Sequence, residues 1–438
     1  MTAAAAARYH LAPGGRIAGT LTVPGDKSIS HRALMLGALA QGVTHISGFL
    51  AGEDCLATAR ALQALGVRIE WPGTGEVRVH GAGARGLTAS GVPLDMGNAG
   101  TAMRLMMGVL AAEPFESTLV GDDSLMRRPM ERVAVPLRLM GAEILTQDGH
   151  APVRMRGTRA LRALEYALPV ASAQVKSAIL LAALRAHGCT RLTEPAPSRD
   201  HTERMLRTFG VQVRQSGATI SLEGGQPLKA APLEVPADFS SAAFFIVAAC
   251  LAAKEPVLIR NVGINPTRTG LLEILRAMGA DIRVHAPAVQ ASEPRADLEV
   301  RMSGLRGIEV PEALVPLSID EFPVLFVAAA CASGETLVRG AQELRVKESD
   351  RLAAMAAGLT VLGIENRLLP DGLWLRGATS FSGGTIDSRG DHRIAMAFAV
   401  AALRAREPLE ILDVANVATS FPGFLDTAQA AGLQIRLA

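Results

Sequence analysis

One pattern recurs six times along this chain of 438 residues, and it constrains the fold more than any other feature. Each repeat has a polar or glycine-rich start, an alanine-rich helix, a short strand, a second helix, and then a glycine followed by a closing strand. The six glycines are Gly66, Gly141, Gly210, Gly279, Gly363 and Gly432. They lie 69 to 84 residues apart. Such even spacing is typical of a chain built from repeated supersecondary units.

The six repeats divide evenly into two groups of three, and a chain this long usually exceeds one hydrophobic core. The sequence therefore predicts two α/β domains. The predicted domains are residues 23–235, and residues 1–22 together with 236–438. The second one takes in the N-terminus because the alternating stretch 16–23 is typical of a strand that completes a sheet there. The chain would then cross between domains twice, next to Pro24 and Pro236, and these crossings predict a hinge.

Composition excludes several classes of protein. The formal net charge is only +2, which argues against a partner as highly charged as a nucleic acid. The longest apolar runs fall short of the roughly 20 residues that span a bilayer, so we expect no membrane association. The N-terminus lacks the basic and apolar regions of a signal peptide. The four cysteines show no metal-ligand spacing, and we expect a cytoplasmic protein with reduced thiols and no metal.

The first two repeats begin with residues suited to binding anions. PGDKSISHR places Lys27, Ser28 and Arg32 at a helix N-terminus, where backbone N–H groups and the helix dipole already favour negative charge. GNAGTAMR places Gly100 where the backbone can approach a ligand closely. Arg128 stands just before a proline and suits bidentate recognition of a carboxylate or phosphate. Taken singly, each motif also fits an exposed first turn or a tight turn.

The third repeat begins with hydroxyl and amide side chains. Ser172 and Gln174 lie in PVASAQVKS, and Arg199 follows in PSRDHTERM. Such groups can recognise the hydroxyls of a small polar ring. They also cap helices, which is their more common use.

The fifth repeat is the most informative of the six. Asp320 precedes its first helix in SIDEFP, and Lys347, Glu348 and Arg351 crowd the start of its second helix in ELRVKESDR. Taken alone, the motif ELRVKESDR also fits an exposed helix on which side chains three or four residues apart form ion pairs. Arg393 follows at the start of the sixth repeat.

Five of the six repeat starts thus carry polar or charged side chains in front of apolar helices. Their recurrence predicts a cleft between the domains, lined by helix N-termini and cations, that binds small ligands with several negative charges. No Walker sequence, dinucleotide fingerprint or metal-ligand cluster occurs, so nucleotide phosphoryl transfer and hydride transfer lose support.

Nine motifs together resemble the 5-enolpyruvylshikimate-3-phosphate synthase family over essentially the whole chain. They are PGDKSISHR, GNAGTAMR, GDDSLMRRPM, SAQVKS, SRDHTE, SIDEFP, ELRVKESDR, GDHRIAMAF and TSFPGF. The resemblance implies two domains, each of three βαβαββ units in an inside-out barrel, that close on the substrates. It implies transfer of the enolpyruvyl group of phosphoenolpyruvate to the 5-hydroxyl of shikimate 3-phosphate, with release of phosphate, on the way to chorismate and the aromatic amino acids. It further implies no cofactor or metal, and inhibition by glyphosate in competition with phosphoenolpyruvate. We expect a monomer, but the sequence itself leaves the oligomeric state open.

The resemblance also implies roles for individual residues. The shikimate 3-phosphate site would comprise Lys27, Ser28, Arg32, Ser172, Ala173, Gln174, Arg199, Asp320 and Lys347. The phosphoenolpyruvate site would comprise Lys27, Gly100, Arg128, Gln174, Arg351 and Arg393. Asp320 would accept the proton of the attacking hydroxyl, and Glu348 would protonate the methylene carbon. The division of acid and base roles among Asp320, Glu348 and Lys27 stays open, because closely spaced groups titrate as a set.

Two features set the chain apart from many relatives. Thr419 stands where they carry a lysine, so one phosphate contact is either absent or supplied elsewhere. SAQVK, RDHTE and NPTR resemble the subgroup that contains glyphosate-tolerant members, in which alanine often replaces Gly100. Glyphosate tolerance is therefore open.

Two other functions are compatible with part of this pattern. The enolpyruvyl transferase that acts on UDP-N-acetylglucosamine shares the architecture but uses a loop cysteine in its second repeat, and no cysteine lies between Cys55 and Cys189 here. A non-catalytic scaffold of α/β repeats would explain the periodicity but not the charged repeat starts.

Overall fold

The computed structural model describes residues 7–288 and 293–438 of the chain. The helices are α1 (Lys27–Leu39), α2 (Glu53–Ala64), α3 (Gly100–Leu110), α4 (Asp123–Met126), α5 (Glu131–Leu139), α6 (Ala173–Ala183), α7 (His201–Thr208), α8 (Phe239–Ala252), α9 (Gly270–Ala277), α10 (Val315–Ser318), α11 (Phe322–Ala330), α12 (Arg351–Val361), α13 (His392–Ala401) and α14 (Phe424–Ala431). Short 3-10 helices occupy Gly83–Arg85, Glu312–Leu314, Gln342–Val346, Ala402–Arg404 and Ala415–Thr419.

The strands are short and follow the same repeating order. They are β1 (Tyr9–Leu11), β2 (Thr20–Leu21), β3 (Val43–Ser47), β4 (Arg68–Gly73), β5 (Glu76–His80), β6 (Leu94–Asp95), β7 (Glu116–Val120), β8 (Glu143–Gln147), β9 (His150–Arg156), β10 (Glu165–Ala167), β11 (Cys189–Thr193), β12 (Val213–Ser216), β13 (Thr219–Glu223), β14 (Leu233–Glu234), β15 (Val257–Gly263), β16 (Ile282–Ala288), β17 (Arg295–Val300), β18 (Glu335–Val338), β19 (Asn366–Leu369), β20 (Gly372–Arg376), β21 (Gly384–Asp387), β22 (Leu409–Leu412) and β23 (Ile435–Leu437).

The chain divides into two compact units, which we call the first and the second domain. Among the described residues, the first domain comprises Gly25–Val235 and Glu293, and the second comprises residues 7–24, 236–288 and 294–438. Each has its own hydrophobic core. The hinge predicted near residues 23 and 236 stays a prediction.

The strands of the described chain form six small sheets, three in each domain. In the first domain the strand orders are β14-β3-β5-β4, β6-β7-β9-β8 and β10-β11-β13-β12. In the second domain they are β16-β17-β15-β2, β18-β20-β19 and β21-β22-β1-β23. Each sheet of the first domain joins one parallel pair to an antiparallel hairpin. The predicted α/β fold of repeated units is confirmed.

The N-terminal segment contributes two strands to the second domain. The predicted strand within residues 16–23 is confirmed but is shorter, since only Thr20–Leu21 pair with β15, in parallel. The sequence reading missed β1, which lies between β22 and β23 and pairs antiparallel with both. Three residues are too few to show the alternation on which the prediction of strands depends.

The first helix of each repeat is buried almost completely. Every residue of α11 and of α13 is buried, and so is nearly every residue of α8. In the first domain α1, α3 and α6 are similar. The helices of the first domain pack through alanine, aliphatic and methionine side chains, whereas α8, α11 and α13 also bury phenylalanines such as Phe244, Phe326 and Phe398.

The C-terminal end of each of these helices is closed by backbone that follows a strand, from its own repeat in the first five repeats and from the N-terminal segment in the sixth. In every case the chain just beyond that strand donates an N–H to a carbonyl at or next to the last turn. The pairs are Ala82 to Ala38, Thr158 to Ala111, Gly225 to Leu184, Ser303 to Cys250, Ala378 to Ala330 and Gly14 to Ala402, at 2.7 to 2.9 Å. These bonds satisfy carbonyls that a buried helix would otherwise leave without partners.

The six glycines that define the repeats have the predicted backbone conformation. Their φ angles are all positive, from 77° to 112°. The left-handed conformation ends the second helix and turns the chain into the next strand. The prediction of glycine-terminated helices is therefore confirmed.

We predict that Gly224→Ala destabilises the first domain. A Cβ at this position would lie 1.8 Å from the carbonyl oxygen of Ala186, where the chain closes the end of α6. Forcing a methyl group into packed structure costs about 1–3 kcal/mol or more, so the midpoint of thermal unfolding should fall by several degrees. Gly91→Ala is the control, because a Cβ there meets nothing within 4 Å. Equal midpoints for the two variants would contradict the prediction.

Candidate active site

The start of α1 places a lysine at the entrance of a buried helix. Lys27 is its first residue, and Asp26 caps the helix by accepting the N–H of Ile29 at 2.9 Å. The Lys27 ammonium donates to Asp54 Oδ2 at 2.7 Å, and 15% of the lysine side chain is exposed. Asp54 thus holds the ammonium at the helix start, where the dipole and the unsatisfied N–H groups also favour an anion.

Arg32 lies one turn further along α1 and is bonded to three elements. Its Nε donates to Thr202 Oγ1 at 2.7 Å, its Nη2 to Ser177 Oγ at 2.9 Å and its Nη1 to the Ser28 carbonyl at 2.9 Å. Burial lowers the pKa of Arg32 to about 10, although the charge of Glu203 acts against that change. The guanidinium therefore stays charged at neutral pH and fixes the first turn of α1.

Two guanidinium groups meet at the start of α3. Arg128 Nη2 donates to Asn98 Oδ1 at 2.5 Å, and Arg104 Nη1 donates to Gln174 Oε1 at 2.6 Å. A Cβ added at Gly100, the first residue of α3, would lie 3.1 Å from Arg128 Nη1 and 3.5 Å from Arg104 Nη1. Glycine at this position leaves room directly beside two cations and a helix N-terminus.

The remaining predicted residues of the first domain lie around α6 and the loop before α7. Ser172 caps α6 by accepting the N–H of Val175 at 3.4 Å, and Ala173 is the first helical residue. Arg199 is partly exposed on the loop, and its charge contributes to the lowered pKa of Arg32. Together with Lys27, Ser28, Arg32, Gly100, Arg128 and Gln174 they form what we call the first half-site.

The second domain gathers three carboxylates around one arginine. Arg351, the first residue of α12, is 1% exposed. Its Nε donates to Asp391 Oδ2 at 2.8 Å, its Nη2 to Glu348 Oε2 at 2.6 Å and its Nη1 to Asp320 Oδ1 at 3.3 Å. Burial alone would lower the pKa of this guanidinium, but the three carboxylates raise it above its ordinary value.

Asp320 lies among three cations. Besides Arg351, Lys347 Nζ lies 3.7 Å from its Oδ1 and Arg393 Nη2 lies 4.0 Å from its Oδ2. Arg393 Nη1 also donates to the Asp320 carbonyl oxygen at 3.1 Å. Desolvation lowers the pKa of Lys347, and the charge of Asp320 opposes that shift. Asp320, Lys347, Glu348, Arg351 and Arg393 form the second half-site.

The sequence analysis assigned no role to three residues that hold the predicted ones in place. Asp391 is fully buried, caps α13 through the Arg393 N–H and bonds Arg351. Asp54 and Arg104 are the partners of Lys27 and Gln174. Arg104 could have been found from its position four residues after Gly100 on the same helix. The spacings of the Lys27–Asp54 and Arg351–Asp391 pairs carry no comparable signal.

Thr419 carries no charge to replace the lysine of many relatives. It ends the 3-10 helix Ala415–Thr419, and its hydroxyl donates to the Asn416 carbonyl at 2.7 Å.

No group of three His, Cys, Asp or Glu side chains within residues 7–288 and 293–438 is arranged to hold a metal ion. In the same ranges, the helices are all too short or too polar to cross a membrane.

We predict that Asp391→Asn destabilises the second domain by on the order of 3 kcal/mol, because it removes one charge from a buried ion pair. Asp391 is 0% exposed and Arg351 only 1%. The control is Glu365→Gln, which breaks the exposed pair between Glu365 and Arg376 and should change little. Thermal unfolding of both variants measures the difference, and a midpoint for Asp391→Asn no lower than that of the control would refute it.

Comparisons with known proteins agree on one family. The model of the EPSP synthase family, described as 3-phosphoshikimate 1-carboxyvinyltransferase, matches residues 11–428. Relatives with that name from Methylococcus capsulatus and Alkalilimnicola ehrlichii are both 59% identical over 98% of this chain, and the matches cover 98% and 96% of theirs.

Solved structures agree with the sequence matches. A structure of EPSP synthase from Acinetobacter baumannii has a TM-score of 0.88 and 51% identity, covering 99% of this chain and 100% of its own. The enolpyruvyl transferase NikO from Streptomyces tendae, at 19% identity and a TM-score of 0.80 over 99% of both chains, shares the fold.

Proposed function

Because this chain belongs to the EPSP synthase family and transfers the enolpyruvyl group of phosphoenolpyruvate to shikimate 3-phosphate, we propose that the two half-sites carry out that reaction. The reaction belongs to the shikimate pathway, which leads to the aromatic amino acids. Because the chain belongs to this family, the two alternative functions are excluded, namely the transferase for UDP-N-acetylglucosamine and the non-catalytic scaffold. The proposal that these residues catalyse the reaction is supported above all by one observation. The Asp320 carboxylate lies next to the cations Arg351, Lys347 and Arg393.

The charges of the half-sites match those of the substrates. Phosphoenolpyruvate carries a phosphate and a carboxylate, and shikimate 3-phosphate carries the same two groups on a polar ring. For phosphoenolpyruvate we propose Lys27, Gly100, Arg128 and Gln174 of the first half-site and Arg351 and Arg393 of the second. The support is the convergence of two guanidinium groups on the N-terminus of α3, where planar forks suit a phosphate.

For shikimate 3-phosphate we propose Lys27, Ser28, Arg32, Ser172, Ala173, Gln174, Arg199, Asp320 and Lys347. The Ser172 hydroxyl accepts a long bond from Val175, so its own proton is available to a ligand. The N–H groups of Arg32 already bond Ser28, Thr202 and Ser177. Arg32 would therefore act by fixing the first turn of α1 and by its charge.

The reaction needs one group that accepts the proton of the attacking hydroxyl and one that delivers a proton to the methylene carbon. We propose Asp320 as the acceptor, since three cations stabilise its negative charge. Glu348 is the proposed proton donor to the methylene carbon. Lys27 is the third residue that we propose takes part in the proton transfers. The cations would stabilise the charge that develops on the phosphate as it leaves.

We predict that Asp320→Asn lowers kcat by roughly 10²- to 10⁴-fold, the usual range for loss of a general acid or base, while substrate binding changes little. Release of phosphate with both substrates present measures the turnover, and titration of each substrate measures binding. Asp426→Asn, an exposed position in the first turn of α14, is the matched control and should keep its activity. Turnover of Asp320→Asn within threefold of the control would remove Asp320 from the mechanism.

We also propose that glyphosate, which carries a phosphonate and a carboxylate, competes with phosphoenolpyruvate at the start of α3. A methyl group at position 100 would lie against the guanidinium groups of Arg128 and Arg104, within the proposed pocket. A ligand longer than phosphoenolpyruvate has less freedom to avoid it. Whether the enzyme as it stands tolerates glyphosate is decided by the wild-type inhibition constant.

We predict that Gly100→Ala raises the inhibition constant of glyphosate by roughly 5- to 150-fold, corresponding to about 1–3 kcal/mol of overpacking, and the KM of phosphoenolpyruvate by less. Both constants are measured for wild type and variant in one phosphate-release assay. An equal rise of the two constants would mean that position 100 does not discriminate between the ligands.

We further propose that the enzyme acts in the cytoplasm as a monomer. The support for a reducing compartment is that all four cysteines, which lie within the described residues, are free thiols. Burial raises the pKa of Cys250 and of Cys331 to about 12, which keeps both thiols protonated and unreactive. Light scattering on the eluting protein would test the oligomeric state.

A further inference from the structure

The fourth repeat begins with Asp238-Phe239-Ser240, and the half-sites assign this start no role. Asp238 is the N-cap of α8 and accepts the Ser241 N–H at 3.0 Å. Arg268, which ends the motif Asn-Pro-Thr-Arg two residues before α9, donates from Nη2 to Asp238 Oδ1 at 2.9 Å. Arg268 is 3% exposed and Asp238 4%, so the ion pair is buried in the second domain.

The ion pair continues through a serine to the residue next to Asp320. Arg268 Nη2 also donates to Ser240 Oγ at 2.7 Å, and Ser240 Oγ donates to Glu321 Oε1. Ser240 and Glu321 are each 2% exposed. We call these four side chains, Asp238, Arg268, Ser240 and Glu321, the Arg268 network.

The peptide between Asp320 and Glu321 is held at both of its polar groups. Its carbonyl accepts from Arg393 Nη1 at 3.1 Å, and its N–H donates to the Ser318 carbonyl at 2.9 Å. The peptide is planar, and its two Cα atoms lie about 3.8 Å apart. The bond from Ser240 to the Glu321 side chain is thus a third restraint on this peptide. It acts on the residue that follows the peptide, whereas Asp320 is the residue that precedes it.

The other end of the network is bonded to backbone of the second domain. The Asp238 N–H donates to the Pro24 carbonyl at 2.8 Å, and the Ala237 N–H donates to the Asn261 carbonyl at 2.9 Å. The network therefore joins the start of α8, the segment next to Pro24 and the turn before α11. It does so entirely within one domain.

Stability alone does not account for this arrangement. Burying two carboxylates and a guanidinium removes their hydration, and well-packed apolar side chains are often as stable or more so. What a bonded buried network provides is a fixed geometry. The geometry that it fixes here is that of the turn carrying Asp320.

We propose that the Arg268 network positions Asp320 for proton transfer, with Ser240 as the link between Arg268 and Glu321. The proposal rests on the assignment of Asp320 as the proton acceptor made above. These four are positioning residues, since they act through the turn and not on the substrate. A displacement of a reacting group by about 1 Å can lower a rate by as much as about 100-fold.

The test is Ser240→Ala, which removes the hydroxyl that links Arg268 to Glu321 and with it both of its hydrogen bonds. The ion pair between Arg268 and Asp238 remains. We expect kcat to fall about tenfold while KM for both substrates stays within about twofold. Ser241→Ala is the matched control, because its hydroxyl bonds Asp238 at 2.9 Å and the Ser241 N–H bond remains. We expect its kcat to match wild type. If Ser240→Ala keeps the kcat of the control, or if KM rises as much as kcat falls, the proposal is overturned.

The same substitution in the Asp320→Asn background separates positioning from general damage. If Ser240 acts through Asp320, adding Ser240→Ala to Asp320→Asn lowers kcat no further. If the two effects multiply while Asp320→Asn alone is impaired, the positioning role fails and the proposed function stands. If Asp320→Asn alone is fully active, the assignment of the proton acceptor fails and the positioning role fails with it.

Glu321→Gln is the second variant, to be used if Ser240→Ala unfolds. It keeps the side-chain volume and an oxygen that can accept from Ser240 but removes the negative charge of Glu321. We expect a smaller fall in kcat than about tenfold, again absent in the Asp320→Asn background. A fall that persists undiminished in that background would overturn the proposal.

Discussion

Near-complete burial of the first helix in each repeat is the constraint on which the rest of the structure depends. A charged side chain inside such a helix loses its hydration unless other side chains bond it, and the ones present, such as Arg32 and Arg104, lie in the N-terminal half and are bonded. The C-terminal ends are closed by backbone N–H groups from the same repeat or, in the sixth repeat, from the N-terminal segment. The N-terminal ends keep N–H groups that suit anions, and residues of both half-sites, such as Lys27, Gly100 and Arg393, lie there.

This constraint explains how much of the fold could be predicted from the sequence. A helix that is apolar on all sides leaves an uninterrupted run of alanine and aliphatic residues, and the left-handed turn after the second helix leaves a glycine. Both signals are local. The helix starts at Lys27 and Gly100 and the positive φ of Gly363 were therefore predictable. By contrast, Gly224 is required by a carbonyl of Ala186, which lies in a different part of the repeat and leaves no local mark.

The candidate site was predictable to a similar degree and for the same reason. Residues at helix starts, such as Lys27 and Arg393, stand out against the apolar helices behind them. Their partners do not, since Asp54 is an ordinary acidic residue in the first turn of α2. Asp391 was visible at a helix start, but its bond to Arg351 spans 40 residues and no spacing predicts it. Pairing across the fold, and with it the buried network around Arg268, appears only in three dimensions.

The pairing of Arg351 bears on how Glu348 could deliver a proton. Arg351 bonds three carboxylates, and Lys347 and Arg393 also lie beside Asp320, so the cluster pairs three negative side chains with three positive ones before any substrate binds. The bond from Arg351 favours the ionised form of Glu348, which cannot donate a proton. A substrate carboxylate that binds Arg351 competes with Glu348 for the same N–H groups and adds negative charge beside it, and both effects favour protonation. If Glu348 is the proton donor proposed above, substrate binding is therefore the step that favours the protonated form that this role requires.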